Sequence, residues 1–142
     1  MKTSECRYNQ CLYFSSAAFA RKIEKLAIDC WKPVELAPSH GYLLMTVLTE
    51  PGIQPGALAN QLQLQPSTIT RLIEKLEEKK LLVRTTEGKI TNVYATPRAK
   101  ELYSKMKECV TNFHRSYSTV LGKEESCRLV QSMNKLADKL EG

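Results

Sequence analysis

The densest run of groups able to contact another molecule lies between Pro66 and Lys80. Ile69, Leu72, Ile73 and Leu76 recur there at steps of three and four, the spacing of an amphipathic helix. Ser67, Thr68, Thr70, Arg71, Glu74 and Lys75 then fall on its outward face. Small hydroxyl residues allow close approach and can donate to phosphate oxygens or base edges, and first-turn amides favour a phosphate. Arg71 has the fork geometry for a bidentate contact to guanine. With Gln65 before the helix and Arg84 and Lys89 beyond it, these residues make a candidate surface for double-stranded DNA.

Other chemistries find less support. A hydrolase or transferase needs a nucleophile, a base and an orienting group held together. The chain has two histidines and no G-x-S-x-G, P-loop or H-E-x-x-H pattern, so no enzyme activity and no cofactor are expected. The five cysteines, Cys6, Cys11, Cys30, Cys109 and Cys127, form no C-x-x-C pair, which argues against a disulfide scaffold or a zinc knuckle. His40 and His114 are not spaced as a helical ligand pair, and no metal is expected.

The elements that must hold the surface can be read in order. Leu12, Phe19, Ile23, Leu26 and Cys30 mark a first helix that Pro33 ends. A second helix, capped by Ser39, runs through the apolar Tyr42 to Leu48 and stops at Pro51-Gly52. Two short helices open at Pro55 and Pro66. The stretches 82–85 and 90–96 are β-branched and flank the turn Thr86-Glu87-Gly88-Lys89, a β-hairpin pattern. Thr96-Pro97 starts a helix of about six turns, and Gly122 separates it from a last one. Short helix, tight turn, second helix and hairpin make a winged helix-turn-helix. The expected fold is mainly α (α+β), divided into a first helix (1–37), a DNA-binding domain (38–97) and C-terminal helices (98–142). Within the middle part the recognition helix is about 66–80 and the wing about 82–96. The long terminal helices carry more apolar surface than so small a core can cover, which calls for a two-fold homodimer.

Composition agrees. The 142 residues are 42% hydrophobic and 25% charged, with a net charge of +6, which rules out wholesale disorder and favours an anionic partner. No apolar run approaches the roughly 20 residues of a membrane span. The first ten residues lack a signal-peptide core, so a cytoplasmic protein without a membrane partner is expected.

In Pro55–Ala59, Pro66–Lys79, Leu81–Arg84 and Ala95-Thr96-Pro97, the chain resembles the MarR family of bacterial transcriptional regulators. The resemblance implies an obligate dimer that represses transcription from a palindromic operator until a small ligand or thiol oxidation releases it. Two positions depart from the family: Lys80 stands where a glycine usually ends the recognition helix, and Glu87-Gly88-Lys89 replaces an Asp-x-Arg wing tip. Arg84 is expected to brace the wing against Glu87. The segment Cys11 to Ser16 is similar to the one holding the reactive cysteine of hydroperoxide-sensing members. That makes Cys11 a candidate redox sensor with Cys30 or Cys127 as its partner thiol; a buried structural thiol is the alternative. Trp31, Tyr42, Phe113 and Tyr117 could form a pocket for a small aromatic effector or could be core. A winged-helix module that binds protein instead of DNA, or an antirepressor, is the rival reading, and exposed apolar or acidic residues on the recognition face would mark it.

Overall fold

The structure, a computed structural model, describes residues 1–141. The chain divides into two compact units. One comprises Trp31–Cys109, and the other Met1–Cys30 with the chain from Val110 onward.

In the first unit, α2 (Pro38–Thr49), α3 (Pro55–Leu62) and α4 (Pro66–Glu78) each begin on a proline. At that position the missing N–H costs nothing and the fixed φ suits the helix. The second helix therefore starts at Pro38 with Ala37 as its N-cap, and not with Ser39 as the cap. Leu43, Leu44, Val47, Leu58, Ile69, Ile73 and Leu76 are buried from the three helices; Leu72 is only half-buried. Strands β1 (Leu82–Glu87) and β2 (Ile90–Ala95) pair antiparallel from Leu82 opposite Ala95 to Glu87 opposite Ile90. The turn is thus two residues, Gly88-Lys89, tighter than the four expected. Gly88 has φ 62, and a positive φ at the first central residue suits the strand twist of a two-residue hairpin. Ile53 adds a single antiparallel bridge to Val93, tying the turn after α2 to the hairpin.

Trp31 is fully buried, with its ring 5.7 Å from that of Tyr42. A Cβ on Gly41 would lie 2.1 Å from the Trp31 ring, so only glycine leaves room for the indole. Helix α5 (Pro97–Leu121) starts as expected, with the Ala99 amide donating to Thr96 Oγ1 at 3.3 Å.

The second unit contains α1 (Leu12–Trp31) up to Cys30, the later turns of α5, and α6 (Lys123–Leu140). Gly122 takes φ 91 at the joint between α5 and α6, where an L side chain would be strained. This unit is poorly covered: Leu12, Tyr13 and Val120 are about four-fifths exposed, and Leu136 and Leu140 are open.

Candidate nucleic-acid interface

Helix α4 packs on α2 and α3 through Ile69, Ile73 and Leu76. That fixes which side faces out, because residues three and four apart share a helix face. Ser67, Thr70, Arg71, Glu74 and Lys75 are exposed, and Thr68 is half-buried. Gln65 is the N-cap residue, and its side chain makes no capping bond. The first-turn amides of Ser67 and Thr68 therefore lack a side-chain acceptor, which leaves a positive helix end beside two hydroxyls. The Thr70 hydroxyl donates to the Pro66 carbonyl at 3.1 Å, so it offers an acceptor outward and not the donor expected of it. Arg71 has no carboxylate partner among the described residues; its fork is uncommitted.

Arg84 is arranged differently from expectation. Its Nη2 lies 2.7 Å from Oε1 of Glu77 on α4, and it does not brace against Glu87. Residues three apart on a strand point to opposite faces, so Arg84 and Glu87 cannot meet across β1. Arg84 thus fastens the hairpin to α4 through Glu77, where the sequence reading had it bracing against Glu87. Lys89 is exposed at the hairpin tip beside Gly88.

The end of α4 is held by contacts the sequence reading did not anticipate. Lys80 takes φ 61, its amide donates to Glu77 and the Leu81 amide to Leu76, both at 2.9 Å. This pair is a complete Schellman stop, so the helix ends at Glu78 and residues 79–80 form its cap. Thr96 Oγ1 donates to the Lys80 carbonyl at 2.8 Å, and Arg98 Nη1 to the Lys79 carbonyl at 3.4 Å. The start of α5 thereby clamps the stop of α4. A hydroxyl and a guanidinium just after a strand were the available signal.

His40, half-buried near the start of α2, faces the same end of α4. Burial, and then the ammonium groups of Lys79 and Lys75, hold its imidazole below the ordinary histidine range. Lys75 and Lys79 thus form a cationic ridge that resists a third positive charge.

The remaining candidates scatter. Cys11 is exposed just before α1, and Cys30 is half-buried in the last turn of that helix, 3.9 Å from Ser116 Oγ. Nearly the whole helix separates the two thiols, about 28 Å at 1.5 Å per residue. A disulfide needs Cα atoms within about 7 Å, so Cys11 and Cys30 of one chain cannot pair. Of the aromatic set, Trp31 is core and lines no open pocket, while Tyr42 is partly exposed beside it. Phe113 and Tyr117 pack edge to face at 5.1 Å in the other unit. Among the described residues no three His, Cys, Asp or Glu stand close enough to hold a metal, and no helix is long and apolar enough to cross a membrane.

The family model described as MarR family matches residues 36–87, the segment from Leu36 through the end of β1. No curated protein matches the chain. Among solved structures, the transcriptional repressor CouR bound to p-coumaroyl-CoA superposes with a TM-score of 0.83 at 19% identity, covering 96% of this chain and 98% of that one. CouR bound to a 23-mer DNA duplex gives 0.81 at 19% identity, with the same coverage. The S. aureus MepR-DNA complex gives 0.78 at 17% identity, over 91% of this chain and 97% of that one. Residues 36–87 thus match the MarR family model, and the chain as a whole shares the winged-helix fold of these solved structures.

Proposed function

We propose that this protein is a sequence-specific DNA-binding transcription regulator of the MarR type and not an enzyme. It works in the cytoplasm as a two-fold dimer that represses from a palindromic operator and is released by a small-molecule effector. The observation that carries the reading is α4: a helix packed on one side, with Ser67, Thr68 and an unpaired Arg71 on the other and an uncapped positive end at Gln65. Such a helix fits a major groove, with Arg71 reading a base and the first turn holding a phosphate. Lys75 and Lys89 extend the cationic surface towards flanking phosphates. Glu74 and Glu78 are exposed on α4 and are acidic residues of the kind a protein-binding face would show, but both lie beyond the first turn that carries Ser67 and Thr68, and large apolar residues are absent from the outward face. The exposed Leu12, Tyr13, Val120, Leu136 and Leu140 supply apolar surface that a second copy would cover.

Titration of a bound duplex by fluorescence anisotropy across a salt series tests the reading. Affinity should fall steeply with salt, with a log–log slope of about −0.9 per phosphate neutralised. Arg71→Ala should lose sequence preference while remaining a dimer. A flat salt dependence, or undiminished discrimination by Arg71→Ala, would favour a protein-binding module instead.

A further inference from the structure

The outward side of α4 has two margins that differ in charge. Thr68, Leu72, Lys75 and Lys79 follow one another at steps of three and four and so share one stripe. Thr68 and Leu72 are half-buried, which puts that stripe where the packed side meets the exposed one. Thr70, Ile73 and Glu77 mark the other margin, and Glu77 is committed there to Arg84 of the wing. Glu74 and Glu78 lie exposed between the two. His40, half-buried in the first turn of α2, stands against the lysine margin.

No carboxylate balances this margin. Besides His40, α2 holds only Tyr42 as a titratable side chain; α3 and β2, which also pack on α2, hold none but Tyr94. Both phenols are neutral in the histidine range. Lys32 and Glu35 are exposed in the turn before α2, and Glu50 caps its far end. Of the charged groups, only Lys79 and Lys75 act on the imidazole, and neither ammonium has an ion-pair partner among the described residues. With burial, they keep the ring neutral until an anion offsets them.

A helix lying in a major groove has a sugar-phosphate strand along each side. One strand then meets the wing, and the other meets the lysine margin. We infer that His40, Lys75 and Lys79 hold that second strand of the bound duplex, and that His40 takes up a proton from solvent as the strand arrives. A phosphate beside the ring favours its charged form, and a charged imidazole donates from both nitrogens. This contact rests on the DNA-binding reading and adds to it a residue of α2 and a coupling of affinity to pH. Its sign follows from the proton uptake: affinity rises as pH falls through the interval between the free and bound titrations of His40.

Anisotropy titration of a mixed-sequence duplex with the full chain, at fixed salt from about pH 7.5 to about pH 5.5, tests this. Affinity should rise on acidification, by up to about tenfold per pH unit for each chain bound. His40→Gln should flatten the rise. His114→Gln should keep it, since the chain's other imidazole lies in the other unit. Lys79→Gln should lower the slope of log affinity against log salt by about one. In the unaltered chain, the NMR titration of the His40 ring should move to higher pH when duplex is added. A rise that survives His40→Gln, or a His40 titration that duplex leaves in place or moves to lower pH, would overturn the assignment. Duplex binding that ignores pH would sink this contact alone, whereas no duplex binding at any pH would sink the DNA-binding reading with it.

Discussion

Lys80→Gly should make this protein more stable. Lys80 sits at φ 61 immediately after α4, where a left-handed conformation costs an L residue about 1–2 kcal/mol. The lysine side chain is exposed and enters no ion pair or hydrogen bond among the described residues, so its removal forfeits little. Against the gain stands the greater freedom of glycine in the unfolded chain, about 0.4–1 kcal/mol. The net is a stabilisation of about 0.5–1 kcal/mol. The Schellman bonds from Lys80 and Leu81 to Glu77 and Leu76, and the bond from Thr96 Oγ1, all use backbone groups at this stop and survive the change. Urea denaturation at fixed protein concentration would read it as a higher midpoint with an unchanged slope, and Lys80→Ala should be near neutral. A lower midpoint for Lys80→Gly would show that the lysine side chain, and not the backbone stop, holds the end of α4.

Further outcomes follow from the same packing. Thr96→Val removes both the N-cap of α5 and the contact to Lys80, and should cost about 1–2 kcal/mol in the same denaturation assay. Gly41→Ala drives a methyl into the Trp31 ring and should cost about 1–3 kcal/mol by overpacking, with a shifted Trp31 fluorescence spectrum. Glu77→Gln breaks a partly exposed pair with Arg84 and should cost under about 1 kcal/mol in stability, while loosening the wing as read by hydrogen exchange at β1 and β2. His40 is held low in the folded protein, so the unfolded chain takes up a proton first as pH falls. Stability should therefore drop on acidification through the ordinary histidine range, and His40→Gln should flatten that part of the profile.

The order of elements was legible because each boundary carries a local signal: prolines at Pro55, Pro66 and Pro97, a stop at Pro51-Gly52, and a joint at Gly122. The outward set on α4 was legible for the same reason, since Ile69, Ile73 and Leu76 fix the buried side. What the sequence hid depends on contacts between elements. The choice of Glu77 over Glu87 as the partner of Arg84, and the clamp from Thr96 and Arg98 onto α4, arise only when the hairpin and α5 return to that helix. Trp31 was ambiguous because an indole suits a pocket wall and a core equally. The glycine at position 41, which makes room for it, is uninformative until the two are neighbours.

Selection of bound duplexes from a random pool by the full chain tests the central claim most directly. Two α4 helices held in a symmetric dimer should enrich a palindrome with half-site centres about ten base pairs apart, and the Arg71→Ala protein should recover no preferred base at its contacted position. Recovery of no sequence preference by the unaltered chain, or of a single asymmetric half-site bound by one copy, would contradict it.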